Sequence, residues 1–316
     1  MKNKLISKLR CPDCQSPLKR DEKSLTCSSC NRVLPIVNGI VIFLSSEELA
    51  DFFKREEVGK YLASESKIKQ VLGSKNFIDG LKEIIEHVSS DEFQKKYEAE
   101  TCQWTGDLNN KEAETANKKT TEVMAEKVHI QKADTILDWP TGKGCFLRTI
   151  LDKVKPTAQI ACLDIDFVEL ASLKVFLERK GKAENILFVN SDARRMPFNG
   201  ESFDAVTAWG GFIEVPDSPQ AVKESWRVLK PSGWFVGDGE VYKQNSESMK
   251  IADKMGIGYL ATKERIQQYL SEASFRNTFF ETLFEGKDQT VPGPDQAPLP
   301  AYGDWFSLVV AGGQKT

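Results

Sequence analysis

Four cysteines near the start of the chain form two matched pairs, Cys11-Pro-Asp-Cys14 and Cys27-Ser-Ser-Cys30, with twelve residues between them. Two such knuckles can present four thiolates to one tetrahedral ion, and the polar KRDEKS stretch between them suits the tip of a β-hairpin. No histidine or fifth ligand stands nearby, so the expected shell is closed and its zinc structural, with no open catalytic position. A redox CxxC would occur once, at a strand-to-helix turn. Cys102, Cys145 and Cys162 lack any paired spacing and read as buried or partly buried thiols.

A second constellation begins at Thr135–Phe146, TILDWPTGKGCF. An apolar run ends in Asp138, and a turn with Gly142 and Gly144 opens a helix. A buried parallel strand would deliver that acid and turn to the carboxyl edge of a sheet, where open α/β folds bind ligands. A dinucleotide fingerprint needs a third glycine, and Leu147 stands in its place. A cofactor without a phosphate needs instead a tight loop and an acid for its ammonium group, a description S-adenosylmethionine meets. Downstream, Asp164 and Ile165 follow the apolar run QIACL, and a carboxylate there can accept two ribose hydroxyls at once. Asp166 reads as a helix cap.

The elements that must position these residues alternate from Thr135 onward: TILDW, CFLRTILDKV, QIACLDID, VELASLKVFLERK, NILFVN, FDAVTAW, AVKESWRVL, GWFVGDGE. Strand and helix in turn predict an α/β fold, a Rossmann-like parallel sheet with helices on both faces. The run from Trp226 to Gly233 predicts a helix and turn leading into the fifth strand. NTFFETLF and WFSLVVAG predict a closing antiparallel pair, and Thr262 predicts a helix cap. The proline-bearing stretch from Glu285 to Asp304 is either a cover for the acceptor pocket or a surface loop. The expected organisation is a zinc-ribbon β domain over residues 1–44, a helical linker over 45–132 and the main domain over 133–316. In the linker, Ser45 to Glu48 resemble a capping box before Leu49, Phe52 and Phe53, and Phe93, Tyr97 and Trp104 offer an aromatic face for core packing or a lid.

Two resemblances attach to these motifs. The CPxC knuckle, the second CxxC and Pro35-Ile36-Val37-Asn38-Gly39-Ile40 resemble the small zinc-ribbon family of methyltransferase activator proteins; Asn38-Gly39 is a hairpin turn signal within strands expected to complete the ribbon. The segment from Thr135 to Gly239 resembles the class I S-adenosylmethionine-dependent methyltransferases, closest to their type-11 group. The family's D-x-G-x-G-x-G motif is matched by Asp138, Gly142 and Gly144, with Pro140 in place of the first glycine. The resemblance implies a donor site of Asp138, Pro140, Gly142, Gly144, Asp164 and Ile165. It adds Asp192 and the amide of Ala193 at the adenine edge. Trp209 would flank the donor. Glu214, where many members carry histidine, would serve as a base, bind a cationic acceptor or simply be a loop acid.

Methyl transfer from a sulfonium is an in-line displacement, so the protein mainly aligns the partners, and a base is needed only where the acceptor must lose a proton. The Asn-Pro-Pro-aromatic motif with which related enzymes bind planar amino groups does not follow the fourth strand, so the resemblance implies that such acceptors are disfavoured. A net charge of −3 and a pI near 5.7 give no global attraction for nucleic acid. No apolar run approaches the ~20 residues of a membrane helix, and MKNKLISKLR leads into cysteines rather than a signal core. A cytoplasmic methyltransferase of small molecules is the expectation. A zinc-ribbon RNA methyltransferase and a non-catalytic donor-binding or partner-binding protein are the alternatives.

Overall fold

The computed structural model describes residues 4–45, 47–48, 77–100, 111–210, 212, 215–288 and 299–316. In chain order the strands are β1 (Leu18–Arg20), β2 (Ser24–Cys27), β3 (Val33–Val37), β4 (Ile40–Ile42), β5 (Thr135–Asp138), β6 (Gln159–Asp164), β7 (Ile186–Asn190), β8 (Phe203–Ala208), β9 (Leu229–Tyr242), β10 (Arg276–Lys287) and β11 (Trp305–Gln314). The helices are α1 (Phe77–Val88), α2 (Asp91–Glu100), α3 (Lys111–Lys127), α4 (Cys145–Ile150), α5 (Phe167–Arg179), α6 (Ser218–Val228), α7 (Glu247–Met255) and α8 (Lys263–Glu272). They fall into two compact units that do not follow chain order. The first comprises Met1–Cys102, Thr141–Cys145 and Gln159–Asn199; the second comprises Gln103–Pro140, Phe146–Ala158 and Gly200–Thr316.

In the first unit β1, β2 and β3 form an antiparallel meander. Asn38 and Gly39, both at positive φ (46° and 76°), turn β3 into β4, a backbone that asparagine and glycine adopt at small cost. β4 then departs from the expectation that it completes the ribbon. It pairs antiparallel with β3 on one side and parallel with β7 on the other, Ile40 opposite Phe188 and Ile42 opposite Asn190. The reason lies in its composition: Ile40, Val41, Ile42 and the following Phe43 are all buried, and an apolar run without alternation suits a strand covered on both faces. β7 in turn pairs parallel with β6.

Helix α5 is largely apolar and, apart from the half-buried Glu169, buried from Phe167 to Leu177, as a helix between other elements must be. Asp166 caps it, its carboxylate accepting the N–H groups of Val168 and Glu169. Against α5 lie α1 and α2: Gln94 donates to the carbonyls of Val88 and Ser172, and Tyr97 lies 5.8 Å from the ring of Phe176. Ser45 and Glu48 form the reciprocal capping box, whereas Leu49, Phe52, Phe53, Cys102 and Trp104 lie outside the described residues.

In the second unit β5 pairs parallel with β8 and β8 with β9; β11 returns antiparallel to β9, and β10 antiparallel to β11. The expected turn before the fifth strand falls inside β9. Leu229 already pairs with Phe203, Ser232 takes φ 66°, and pairing resumes with Trp234 opposite Ala205. The core is aromatic: Trp139 stacks on Phe235 at 6.3 Å and donates from Nε1 to Ser225 Oγ at 2.9 Å. Thr262 caps α8. Among the described residues no helix is long and apolar enough to cross a membrane.

Candidate functional site

The ribbon brings its four cysteine sulfurs within 4.8 Å of one another, with Cys11 to Cys30 at 3.5 Å and Cys14 to Cys27 at 3.4 Å. A tetrahedral zinc with bonds of roughly 2.3 Å needs sulfur separations of roughly 3.8 Å, so the cluster fits such an ion. The N–H groups of Cys30 and Ser29 each donate to Cys27 Sγ at 3.4 Å. Led by the Cys30 N–H, they hold the Cys27 thiol down at about 6, toward the thiolate that a metal requires. Arg32 braces the first knuckle through Asp13 and also reaches the Phe43 carbonyl at 3.1 Å.

The glycine loop of the first unit is built around Asp164, the last residue of β6. One carboxylate oxygen accepts the Gly142 N–H at 2.6 Å and the other the Asp166 N–H at 2.8 Å. Asp164 is buried, and burial pushes its carboxyl up to about 7, reinforced by the neighbouring Asp166 and opposed by main-chain N–H groups. Each oxygen keeps lone-pair capacity after these bonds, so the acid can still take hydroxyl donors from a ligand.

The loop glycines differ in what they need. Gly142 has φ 49° with open space where a Cβ would stand, room that a ligand can use. Gly144, at φ 70°, has the Leu173 side chain of α5 against it, and a Cβ would lie 2.4 Å from Leu173 Cδ1. Tyr97 closes the loop from α2, its hydroxyl donating to the Lys143 carbonyl at 2.9 Å. Asp192 caps the short turn Ala193–Arg195 through the Arg194 N–H and also pairs with the Arg194 guanidinium at 2.6 Å; Ala193 and Met196 are buried.

In the second unit Asp138 is buried at the end of β5 and accepts the Thr207 hydroxyl at 2.8 Å. Pro140 follows Trp139 through a cis peptide bond. Trp209 lies just past β8, half-buried, with its indole nitrogen unpartnered. The next residue, Gly210, donates its N–H to the buried Asp238. Glu214 lies outside the described residues, as do Pro292, Pro294 and Pro298 of the long C-terminal loop.

The structure thus gathers Gly142, Gly144, Asp164, Ile165, Asp192 and Ala193 in the first unit, and Asp138, Pro140 and Trp209 in the second. Three residues that hydrogen-bond these segments escaped the sequence reading: Tyr97, Thr207 and Asn190, whose Nδ2 donates to the carbonyls of Asp164 and Ile165. Tyr97 was visible only as one of several helical aromatics, and Thr207 and Asn190 sit in apolar strands where nothing local marks their hydrogen bonds.

Residues 110–256 match the ubiE/COQ5 methyltransferase family, and residues 2–39 match the Trm112p-like proteins. The chain carries a domain that matches the ubiE/COQ5 family model behind a segment that matches the Trm112p-like one. The residues expected at a donor site, from Asp138 to Trp209, fall inside the stretch that matches the ubiE/COQ5 family, and the four cysteines fall inside the one that matches the Trm112p-like proteins.

Among curated relatives, the ubiquinone/menaquinone biosynthesis C-methyltransferase UbiE of Legionella pneumophila is 30% identical over 168 residues, which are 50% of this chain and 66% of that protein. The demethylmenaquinone methyltransferase of Staphylococcus aureus is 38% identical over 107 residues, 34% of this chain and 43% of that one. The chain spans less than two thirds of the length of these relatives. Among solved structures, a geranyl diphosphate methyltransferase in complex with GPP and sinefungin superposes with a TM-score of 0.51 at 13% identity, covering 63% of this chain and 77% of its own. The Haemonchus contortus phosphoethanolamine N-methyltransferase 2 gives 0.50 at 16% identity, covering 63% and 52%. The region that matches the ubiE/COQ5 family has the Rossmann-like α/β methyltransferase fold, with a mixed sheet and a four-cysteine ribbon ahead of it.

Proposed function

We propose that the protein is an S-adenosylmethionine-dependent methyltransferase acting on a small molecule, with a ring carbon of a reduced, demethylated quinone as the acceptor. The pairing of a glycine-loop amide with a buried acid, Gly142 N–H on Asp164, supports this most directly, because it builds a pocket edge for a ribose rather than for a pyrophosphate. The names of the Legionella and Staphylococcus relatives support the quinone class.

In this reading Asp164 accepts the ribose hydroxyls beside Ile165, Asp192 and the Ala193 amide face the adenine, and Asp138 with the Pro140–Gly144 loop holds the amino-acid end. Trp209 flanks the donor. The bound donor supplies an activated methyl on a sulfonium, so the protein's work is alignment and the exclusion of water. Glu214 is the candidate base for the proton that leaves the acceptor carbon. Cys11, Cys14, Cys27 and Cys30 hold a structural zinc, and the enzyme works in the cytoplasm.

The test is transfer of tritiated methyl from S-adenosylmethionine to a short-chain demethylmenaquinone analogue kept reduced, catalysed by the zinc-loaded protein. Label extracted with the quinone is the expected result. Label in an RNA fraction instead, or donor binding without any transfer, contradicts the proposed acceptor.

A further inference from the structure

The two segments of the first unit proposed to read the donor meet at a side chain that neither motif includes. Asn190 is the last residue of β7 and is fully buried. Its Nδ2 donates to the carbonyl of Asp164 at 3.1 Å and to that of Ile165 at 2.9 Å. The main chain adds a third tie, Ser191 N–H to the same Asp164 carbonyl at 2.9 Å. On its other side the Asn190 carbonyl accepts the Phe43 N–H at 2.9 Å, continuing the ladder in which Ile42 stands opposite Asn190.

The chemistry explains why an amide stands there. The Asp164 and Ile165 carbonyls lie where β6 gives way to the turn before α5, and buried carbonyls without partners are costly. An amide nitrogen carries two N–H donors on one atom and so serves two neighbouring carbonyls together. The four residues before Asn190 in β7, Ile-Leu-Phe-Val, are apolar and buried. A leucine would suit that packing, and the amide adds only its hold on the Asp164-Ile165 turn. Asn190 Oδ1 has no hydrogen-bond partner, so Nδ2 alone fixes the orientation of the group.

We propose that Asn190 is a positioning residue for donor binding: by holding the Asp164 and Ile165 carbonyls it sets the Asp164 carboxylate for the ribose hydroxyls and ties that acid to the Asp192-Ala193 segment. This role rests on the donor reading given above and goes beyond it, because Asn190 is fully buried behind the turn and belongs to neither donor motif. A residue that merely stabilised the fold would weaken all ligands alike. One that acts through Asp164 alters how strongly the site distinguishes ligands by their ribose hydroxyls.

Calorimetric titration with S-adenosylhomocysteine and with its 2′-deoxy analogue tests this on the zinc-loaded wild type, Asn190→Leu and Asn190→Ser, each checked for folding by circular dichroism. The wild type is expected to prefer the full ribose by about tenfold, the size of one well-made hydrogen bond to a charged group. Asn190→Leu should weaken S-adenosylhomocysteine by about tenfold and leave the analogue nearly unchanged, so the preference collapses. Asn190→Ser, with one hydroxyl donor, should fall between, and it decides the matter if the leucine variant does not fold. An Asp164→Asn, Asn190→Leu double variant should bind no worse than Asp164→Asn alone. Equal weakening of both ligands, or an unchanged preference, overturns the role of Asn190. A folded wild type that binds neither ligand overturns the donor reading itself and the Asn190 role with it.

Discussion

The Asp164 carboxylate accepts the main-chain N–H of Gly142 at 2.6 Å across twenty-two residues of sequence. One acid at the end of β6 therefore fastens the glycine loop while keeping lone pairs for a ligand. Burial holds its carboxyl up at about 7, with Asp166 beside it adding repulsion. Because the folded value lies above the ordinary 3.8, the native state keeps a proton that the unfolded chain releases, and stability falls as pH rises from about 4 to about 7. Donor affinity runs the other way: ribose hydroxyls donate to the ionised form, so binding of S-adenosylhomocysteine should strengthen as pH climbs through about 7 and level off above it. Asp164→Asn should flatten both profiles, which calorimetry and thermal unfolding across that range would read directly.

Gly144 and Gly142 should respond differently to alanine. At Gly144 the new Cβ would lie 2.4 Å from Leu173 Cδ1 with φ at 70°, so overpacking adds to backbone strain and Gly144→Ala should cost about 2 to 4 kcal/mol. Gly142→Ala meets no neighbour within 4 Å and should cost only the strain, about 1 to 2 kcal/mol. Urea unfolding of the two variants checks the order, and equal losses would mean that Leu173 yields freely.

Trp139 is buried, with its indole donating to Ser225 Oγ at 2.9 Å. Ser225→Ala removes that acceptor and leaves a buried N–H unpaired, at about 1 to 3 kcal/mol. Thermal unfolding should show a lower midpoint with an intact fold, and an unchanged midpoint would indicate another acceptor for the indole.

Metal removal should be felt at the donor site. The stretch that carries Asp192 and Ala193 begins at Asn190, whose carbonyl accepts the Phe43 N–H, and ends at Asn199, whose N–H donates to the Lys8 carbonyl. Arg10 N–H donates to the Pro197 carbonyl at 3.0 Å between them. Chelation, or Cys11→Ser, should release one zinc per chain by mass spectrometry of metals and weaken S-adenosylhomocysteine at least several-fold. Full affinity in zinc-free protein would separate the ribbon from the donor segment.

Much of this was legible in the residues because local chemistry marks it. Paired CxxC knuckles announce a four-cysteine cluster wherever they fold, Asn38-Gly39 announces its turn, and apolar runs that end in an acid announce the strands that close on Asp138 and Asp164. Asp166, Thr262 and Ser45 were readable as caps for the same reason: a cap acts on N–H groups two or three residues away. What stayed hidden depends on partners distant in sequence. Nothing in Ile40-Val41-Ile42 says that its second edge pairs with β7, since an apolar triplet fits a ribbon or a central strand equally. The hold of Tyr97 on Lys143, of Thr207 on Asp138 and of Asn190 on Asp164 arises only when the fold brings strands and helices together.

In the proposed function, everything depends on binding of S-adenosylmethionine at Asp164. Titration of the purified, zinc-loaded protein with S-adenosylmethionine and S-adenosylhomocysteine, beside Asp164→Ala, tests it most directly. Binding of both ligands by the wild type at micromolar concentration, lost in the folded variant, is the predicted result. No heat of binding from the folded wild type, or equal affinity in the variant, would contradict it.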